Sequence, residues 1–130
     1  GGENGDRLYG GSGDDHLRGE AGHDNIYAGT GVDTISGGTG MDWFFFEAAD
    51  TGDSGAFKAD TIHDFNDLED VIYLKGNYTF AGDTSAPGEG QYSVWHNNKD
   101  WVITLNDVSD AGWHDIVVKG SNPFGDIAFF

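Results

Sequence analysis

The sequence predicts an all-β fold in which a right-handed parallel β-roll is followed by an antiparallel β cap. Three observations lead to this prediction. A nine-residue repeat fills the first third of the chain, period-two alternation marks several later segments, and no segment has a helical apolar stripe. We assign the roll to residues 1–46 and the cap to residues 47–130.

The chain of 130 residues is strongly acidic, with 23 Asp and Glu against 6 Lys and Arg and a formal net charge of -17. Folding brings these like charges together, and bound cations would offset the resulting repulsion. Nucleic acids and anionic membranes need a basic face, so neither is expected as a partner. No run of 18 apolar residues occurs, so we expect no membrane span. Cysteine is absent, which excludes disulfides and thiol chemistry.

The first 45 residues divide into five consecutive units of nine residues. The sixth position is Asp in all five units, the eighth is a large apolar residue, and at least two glycines occupy the first five positions. The units begin at Gly1, Gly10, Gly19, Ala28 and Gly37, and their aspartates are Asp6, Asp15, Asp24, Asp33 and Asp42.

Each unit combines a turn with a short strand. Six glycine-rich residues can adopt the backbone angles of a tight turn, and the last three alternate polar, apolar and polar. Two units, 18 residues, would complete one coil, so units one, three and five would stack along one edge of the roll. Each turn presents carbonyl oxygens and one carboxylate, and such hard oxygen ligands suit Ca²⁺. One apolar side chain per unit makes a thin core, so we expect folding to be coupled to ion binding.

The units resemble the G-G-x-G-x-D-x-U-x repeat of RTX proteins, also called hemolysin-type calcium-binding repeats. The resemblance implies that several Ca²⁺ ions lie between coils, held by the position-six carboxylates and by backbone carbonyls. The implied carbonyl ligands belong to Gly2, Asn4, Gly11, Gly13, Gly19, Ala21, Gly22, His23, Ala28, Gly29, Thr30, Gly31, Val32, Gly37, Thr39 and Met41.

The family pattern also implies how the carboxylates pair with the carbonyls of the following coil. Asp6 would share an ion with Gly19, Ala21 and His23, Asp15 with Ala28, Thr30 and Val32, and Asp24 with Gly37, Thr39 and Met41. Asn4, Glu20 and Ala28 depart from the consensus glycine. Because ligation there is by the backbone, we expect the sites at these units to be weaker or strained but not lost.

Alternating segments predict the strands of the cap. They cover residues 60–65 and 70–74 around a turn at Asn66–Glu69, then a hairpin of residues 91–96 and 101–106 over the turn Asn97–Asp100. A further strand is predicted at residues 114–119 after a turn at Asp110–Gly112, and loops at residues 47–59 and 75–90. Aromatic residues at Trp43–Phe46 occur on both strand faces and predict the seam between roll and cap.

This second part resembles the C-terminal region that follows the repeats in serralysin-like exported proteases. The matching features are D-x-I-x-D-F at Asp60–Phe65, D-x-I-x-L at Asp70–Leu74, and the terminal Asp126–Phe130, an acidic residue before four apolar ones. That ending is similar to the signal read by type I secretion exporters, which implies an extracellular protein of a Gram-negative bacterium. Asp50, Asp53, Asp60 and Asp64 are candidates to complete the ion shell of the last coils.

We therefore expect a non-catalytic calcium module that folds on ion binding and supports type I secretion and extracellular folding of a larger protein. The chain starts with Gly1-Gly2, without Met and already within the repeat pattern, so we expect a fragment, monomeric in isolation. The alternatives are a structural segment of a surface adhesin, or a glycan-binding module of a polysaccharide-active enzyme such as an alginate epimerase. In the second case Tyr9, Tyr27, Trp43, Trp95 and Trp101 would stack on sugars.

No catalytic residue and no cofactor other than calcium is predicted. Gly52–Gly55 has the Gly-Asp-Ser-Gly pattern of a serine protease loop, but the chain is too short for that fold. The H-E-x-x-H zinc motif is absent. Asp107–Gly112 only partly matches an EF-hand loop, because Ala111 occupies a ligand position.

Overall fold

The computed structural model describes residues 1–47, 59–107 and 112–130, and all regular secondary structure in these residues is β-strand. One strand follows the turn of each repeat unit, at β1 Arg7–Ser12, β2 His16–Ala21, β3 Asn25–Thr30, β4 Thr34–Thr39 and β5 Trp43–Phe46. The first four strands run from position seven of one unit to position three of the next. They are thus twice as long as the predicted three residues, because the residues at positions two and three of the following unit also pair with the next coil.

Seven further strands follow the repeats. They are β6 Asp60–Phe65, β7 Val71–Leu74, β8 Thr79–Phe80, β9 Gln91–His96, β10 Trp101–Asp107, β11 Gly112–Gly120 and β12 Ile127–Phe129. The predicted strands and the hairpin over residues 97–100 are present. The short β8 lies inside the predicted loop of residues 75–90. Among the described residues no helix is long and apolar enough to cross a membrane.

Two sheets run the length of the protein. The first has the order β1-β3-β5-β7-β12 and the second the order β2-β4-β6-β11-β10-β9-β8. All pairs of the first sheet are parallel, and successive units pair in register 18 residues apart, as Leu8 with Ile26 and Leu17 with Ile35. This alternation of units between two parallel sheets is the predicted β-roll.

Antiparallel pairing occurs in the second part of the chain, where β10 pairs with β9 and with β11. The strands β6, β7 and β12 instead extend the parallel sheets of the roll. The turn at Asn66–Glu69 therefore connects two sheets rather than forming a hairpin. No break in either sheet marks residue 46, and the division there remains a prediction.

The eighth position of each unit points into the space between the sheets. Ile26, Ile35 and Phe44 are at most 1% exposed, whereas Leu8 and Leu17 at the first coil are partly buried. They belong to one apolar cluster with Phe46 and with side chains from the second part, which include Phe65, Ile72, Leu74, Ile103, Leu105, Ile116 and Val118. The roll therefore does not depend on one apolar side chain per unit alone, because its last coils pack on a larger core.

Glycine is required at positions two and four of the units. From the second unit onward the residues there have positive φ, for example 93° at Gly29 and 135° at Gly31. A Cβ atom on either glycine would also overlap the carbonyl oxygen of the matching residue, Gly11 or Gly13, in the preceding coil. The glycines thus permit both the turn and the close stacking of coils.

Glu20 is the exception, since it occupies position two of the third unit with a φ of 82°. A non-glycine residue in this left-handed region costs on the order of 1 kcal/mol. We expect Glu20→Gly to raise the free energy of unfolding by about 1 kcal/mol. The measurement is thermal unfolding in saturating calcium, followed by circular dichroism. Glu20→Gln is the control, because it removes the charge but retains the strained backbone, and an equal gain for both variants would contradict the prediction.

Candidate metal centre

The position-six aspartates form two columns, one along each edge of the roll. In each column the backbone N–H of one aspartate donates to Oδ1 of the aspartate in the next coil. The donor–acceptor distances are 2.7 Å for Asp6 to Asp24, 2.8 Å for Asp15 to Asp33, and 2.9 Å for Asp24 to Asp42. The 18-residue period of the repeat therefore places carboxylates directly above one another.

The second oxygen of these carboxylates is buried and has no hydrogen-bond partner. This applies to Oδ2 of Asp15, Asp24, Asp33 and Asp42, of which the last three residues are at most 1% exposed. A buried carboxylate oxygen without a partner is costly, and a bound cation would remove that cost. The Oδ2 atoms without partners thus mark a candidate cation site at the same position in successive coils.

Carbonyl oxygens lie beside these carboxylates. A Cβ atom placed on Gly19 would be in close contact with both Asp24 Oδ2 and the carbonyl oxygen of Gly37, so these two oxygens lie near the same point. A Cβ atom placed on Gly10 would contact Asp15 Oδ2 and the Ala28 carbonyl. Carboxylate and carbonyl oxygens are the ligands that Ca²⁺ prefers, so the donor set fits calcium.

In the first coil, a Cβ atom placed on Gly1 would contact Asp6 Oδ2 and the carbonyl oxygen of Gly19. The structure thus brings Asp6, Asp15 and Asp24 beside the first of the three carbonyl residues predicted for each. The forward direction of pairing is consistent with this placement, and the complete ligand sets remain predictions.

Other predicted carbonyl ligands already accept hydrogen bonds between coils. The Gly2 carbonyl accepts from Ala21 N–H at 2.9 Å, and the Thr30 and Thr39 carbonyls accept from Gly13 and Gly22 at 2.8 and 2.9 Å. A carbonyl oxygen has a second lone pair, so these bonds do not preclude ion ligation. The Asn4, Gly11, Gly13 and Gly22 carbonyls face the matching glycines of the next coil, and Ala28, Gly29, Gly31, Val32 and Met41 lie in the same stacked turns.

His23 has an additional role through its side chain. Its Nδ1 accepts a hydrogen bond of 2.8 Å from Met41 N–H, one coil further along. In the other column, Asp14 Oδ1 accepts at 3.0 Å from Val32 N–H. Both acceptors occupy position five of their units, so in each column this position contributes a further hydrogen bond between two coils. Sequence reasoning did not identify it, since Asp14 and His23 share no residue type.

The aspartate columns continue past the repeats. Asp33 N–H donates to Asp60 Oδ1 at 2.7 Å, and Asp42 N–H donates to Asp70 Oδ1 at 3.0 Å. Asp60 was a predicted candidate, and Asp70 was not. The available signal was the triplet Asp-x-Ile at residues 60–62 and 70–72, which repeats positions six to eight of a unit.

Asp70 differs from the other members of its column, because its Oδ2 accepts from Asn66 N–H at 2.9 Å. Both of its oxygens are therefore used by the backbone, and it ends the column. Asp64 also binds the backbone, accepting from Gly37 and Gly38 N–H at 3.0 Å each and from the Ser36 hydroxyl. Asp50 and Asp53 lie outside the described residues.

Metal binding here would rely mainly on the backbone. Within the described residues, no three His, Asp or Glu side chains group into a metal-binding cluster. A site formed by one or two carboxylates with several carbonyls matches the loops of calcium proteins and provides little for metals that prefer imidazole or thiolate ligands.

The pKa of Asp42 is raised from its usual 3.8 to about 6, mainly by burial and also by the charges of Asp70, Asp24 and Asp64, while the hydrogen bond from Asp24 N–H acts in the opposite direction. Burial is also the main cause of the raised pKa values of Asp33 and Asp70. The metal-free fold thus binds protons more tightly than the unfolded chain does. The stability from this protonation is fully present below pH 3.8 and is lost as pH rises through about 6.

We therefore expect the metal-free protein to be more stable at about pH 5 than at about pH 7.5. The expected pH dependence reverses in calcium, because protons compete with the ion for the same carboxylates. Without calcium, the β-sheet signal in circular dichroism measures the folded fraction at the two pH values, and in calcium urea unfolding measures the free energy of unfolding. Asp42→Asn should reduce the gain in folded fraction between about pH 7.5 and about pH 5 without calcium, and an unchanged gain would contradict the assignment to this carboxyl.

The outward aromatic residues form a stack across one sheet. The rings of Tyr9, Tyr27, Phe45 and Tyr73 follow one another at centroid distances of 4.7, 4.5 and 4.8 Å, with interplanar angles of at most 13°. Both faces of the Tyr27 ring are thus covered, so it has none left for a sugar. The predicted seam residues divide accordingly, with Phe44 and Phe46 in the core and Phe45 in this stack.

The remaining sugar-stacking candidates have different environments. Trp43 is 38% exposed and packs edge-on against Tyr73 at 5.8 Å. Trp95 donates its Nε1 hydrogen to Thr104 Oγ1 at 2.9 Å, and Trp101 packs edge-on against His96 at 4.9 Å. The candidates therefore do not form one continuous sugar-binding surface.

Comparisons with known proteins agree with this geometry. A family model for the RTX calcium-binding nonapeptide repeat matches residues 1–35 and 27–45, in four copies. No curated protein sequence matches the chain.

Two solved structures from Azotobacter vinelandii share the fold, both subunits of a mannuronan C5-epimerase. The solution structure of the AlgE6R2 subunit has a TM-score of 0.69, covering 97% of this chain and 88% of that one, at 22% identity. The AlgE6R3 subunit has a TM-score of 0.60, covering 98% and 80%, also at 22% identity. The likeness extends over both the repeats and the strands that follow them.

Proposed function

We propose that this chain, an RTX protein with calcium-binding nonapeptide repeats in residues 1–45, is a non-catalytic module of a larger secreted bacterial protein. In this proposal the module folds on Ca²⁺ binding and supports type I secretion and extracellular folding of that protein. The supporting observation is the series of buried aspartate oxygens without partners, stacked beside carbonyl oxygens.

The electrostatics support a switch between unfolded and folded states. With a net charge of -17 and no disulfide, the chain has a strong repulsion to overcome when calcium is scarce, as in the cytosol. Extracellular calcium sites bind with dissociation constants of about 10⁻⁴–10⁻³ M. At tenfold excess each independent site contributes roughly 1.4 kcal/mol, so three sites contribute about 4 kcal/mol. A gain of that size is comparable to the whole stability of a small domain.

The terminal strand supports the secretion part of the proposal. In the folded chain β12 pairs with β7, and Phe130 N–H donates to the Leu74 carbonyl at 3.0 Å. An exporter that recognises residues 126–130 would thus have to bind them before the chain folds and β12 pairs with β7. This fits a module that stays unfolded in the cytosol and folds outside.

Export of a reporter fused upstream of this chain, in cells with a type I exporter, tests the secretion role. Deleting residues 127–130 should reduce export, whereas Leu68→Ala, at an exposed apolar residue outside this segment, should not. Undiminished export after the deletion would count against a terminal signal and leave the calcium proposal standing.

The second candidate function is glycan binding, favoured by the fold shared with subunits of a mannuronan C5-epimerase. The charge opposes an anionic glycan, because only six Lys and Arg are present. Of these, Lys75 pairs with Glu47 at 2.9 Å and Lys119 lies 3.8 Å from Asp100. Electrophoresis in gels containing alginate or a neutral polysaccharide, in calcium, tests this candidate through retardation.

A third candidate, a structural segment of an adhesin, predicts calcium-dependent self-association in light scattering.

A further inference from the structure

A pocket of about 300 Å³ lies outside the roll, where β8 and β10 approach the loop before β12. Three aromatic side chains line it, together with one buried aliphatic residue and two exposed polar ones. They are Phe80, Trp101, Phe124, Val94, Asp83 and Asn122. The calcium proposal gives this pocket no role.

Each aromatic ring is held by a different part of the backbone. Phe80 lies in β8, and the next residue, Ala81, donates its N–H to the Tyr92 carbonyl at 2.8 Å. Trp101 is the first residue of β10. Phe124 follows a turn in which Asn122 Oδ1 accepts from Phe124 N–H at 3.0 Å. The pocket is therefore preformed by strand pairing and a turn.

Two of the rings form an exposed corner. The Phe80 and Phe124 centroids are 4.9 Å apart, with 40° between the ring planes. These side chains nevertheless remain 44% and 54% exposed, among the largest exposures of aromatic residues in the described chain. Exposed aromatic surface around a concave site indicates a ligand contact.

The charge around the pocket restricts that ligand. Asp83 is the single charged residue among the described residues that line it, and no Lys, Arg or His is present. A carboxylate or phosphate would be repelled by Asp83 and by the net charge of -17. An organic cation is attracted both by the carboxylate and by the negative faces of aromatic rings.

We propose that this pocket binds an alkylated ammonium group, such as a trimethylammonium head group. The methyl groups contact the rings of Phe80, Trp101 and Phe124, and the carboxylate of Asp83, which lines the same pocket, attracts the positive charge. This site is independent of the calcium sites and of the secretion role.

The test compares choline with its neutral isostere, in which a tert-butyl group replaces trimethylammonium. Both are titrated into calcium-saturated protein while nuclear magnetic resonance follows the Trp101 indole N–H. We expect choline to shift this signal saturably and the isostere to bind about tenfold more weakly, because it has the shape without the charge. Equal affinity, or no shift with choline, would overturn the proposal.

Two variants locate the contribution of each group. Asp83→Asn should weaken choline binding severalfold, whereas Asp67→Asn, the same charge change at an exposed turn outside the pocket, should not. Phe124→Leu should weaken it without altering the calcium-dependent circular dichroism. A neutral hexose that binds better than choline, or equal effects of the two Asp variants, would show that the pocket does not select a cation.

Discussion

Chelation of calcium is expected to unfold the roll and to abolish most of the β-sheet signal in far-ultraviolet circular dichroism. The physical reason is that the folded chain stacks aspartates whose second oxygens are buried without partners, and Asp42 experiences three neighbouring carboxylates. Without a cation these charges oppose folding, and no disulfide holds the chain together. Returning calcium should restore the signal within the same sample.

Magnesium provides the control for this experiment. At equal ionic strength it screens charge as calcium does, but it demands octahedral geometry and retains its waters, so it suits these carbonyl-rich turns poorly. We expect magnesium to restore little of the signal. A chelated sample at neutral pH with the spectrum of the calcium form would refute ion-coupled folding. Full recovery of the signal in magnesium would show that the cations act only by screening charge.

Asp24→Asn is expected to raise the calcium concentration at the folding midpoint about tenfold. Asp24 is 1% exposed, and its Oδ1 accepts from Asp6 N–H at 2.7 Å while Oδ2 has no partner. The amide retains an oxygen for that hydrogen bond but replaces the charged Oδ2 by an NH₂ group, which is not a cation ligand. Loss of one charged ligand contributes about 1.4 kcal/mol, which corresponds to the tenfold change.

Asp24→Ala separates the hydrogen bond from the ion. It leaves the Asp6 N–H without its acceptor, so we expect a further loss of about 1–3 kcal/mol that calcium does not restore. Calcium titrations followed by circular dichroism measure both variants, with Asp67→Asn as the charge control. If Asp24→Asn and Asp67→Asn have the same midpoint, the Asp24 carboxylate is not a ligand.

The repeat period made the roll predictable from the sequence. Five aspartates in phase predict the two columns, and the structure has the pairs at 18 residues. Beyond the fifth unit, the 18-residue spacing no longer predicts which aspartates stack on each other. Asp60 lies 18 residues after Asp42, yet it stacks on Asp33 in the other column, 27 residues back. A period alone cannot predict this change, because residues 47–59 do not continue the nine-residue pattern.

Strand length and pairing were less predictable for physical reasons. Alternation identifies a strand but not its neighbour, so β6 and β7 could be found without knowing that they belong to different sheets. The Asp14 and His23 acceptors at position five, and the two hydrogen bonds that end the column at Asp70, depend on side-chain placement between coils. No local pattern in one sequence encodes such contacts.

The bond from each aspartate N–H to the carboxylate of the next coil links neighbouring members of a linear array. An ion that fixes one carboxylate also fixes the acceptor to which the aspartate N–H of the preceding coil donates. Occupation of one coil should therefore favour occupation of the next. Such nearest-neighbour coupling predicts a calcium titration steeper than a simple hyperbola. The steepness should fall when a column is interrupted at an interior member, Asp24, more than when it is shortened at its first member, Asp6.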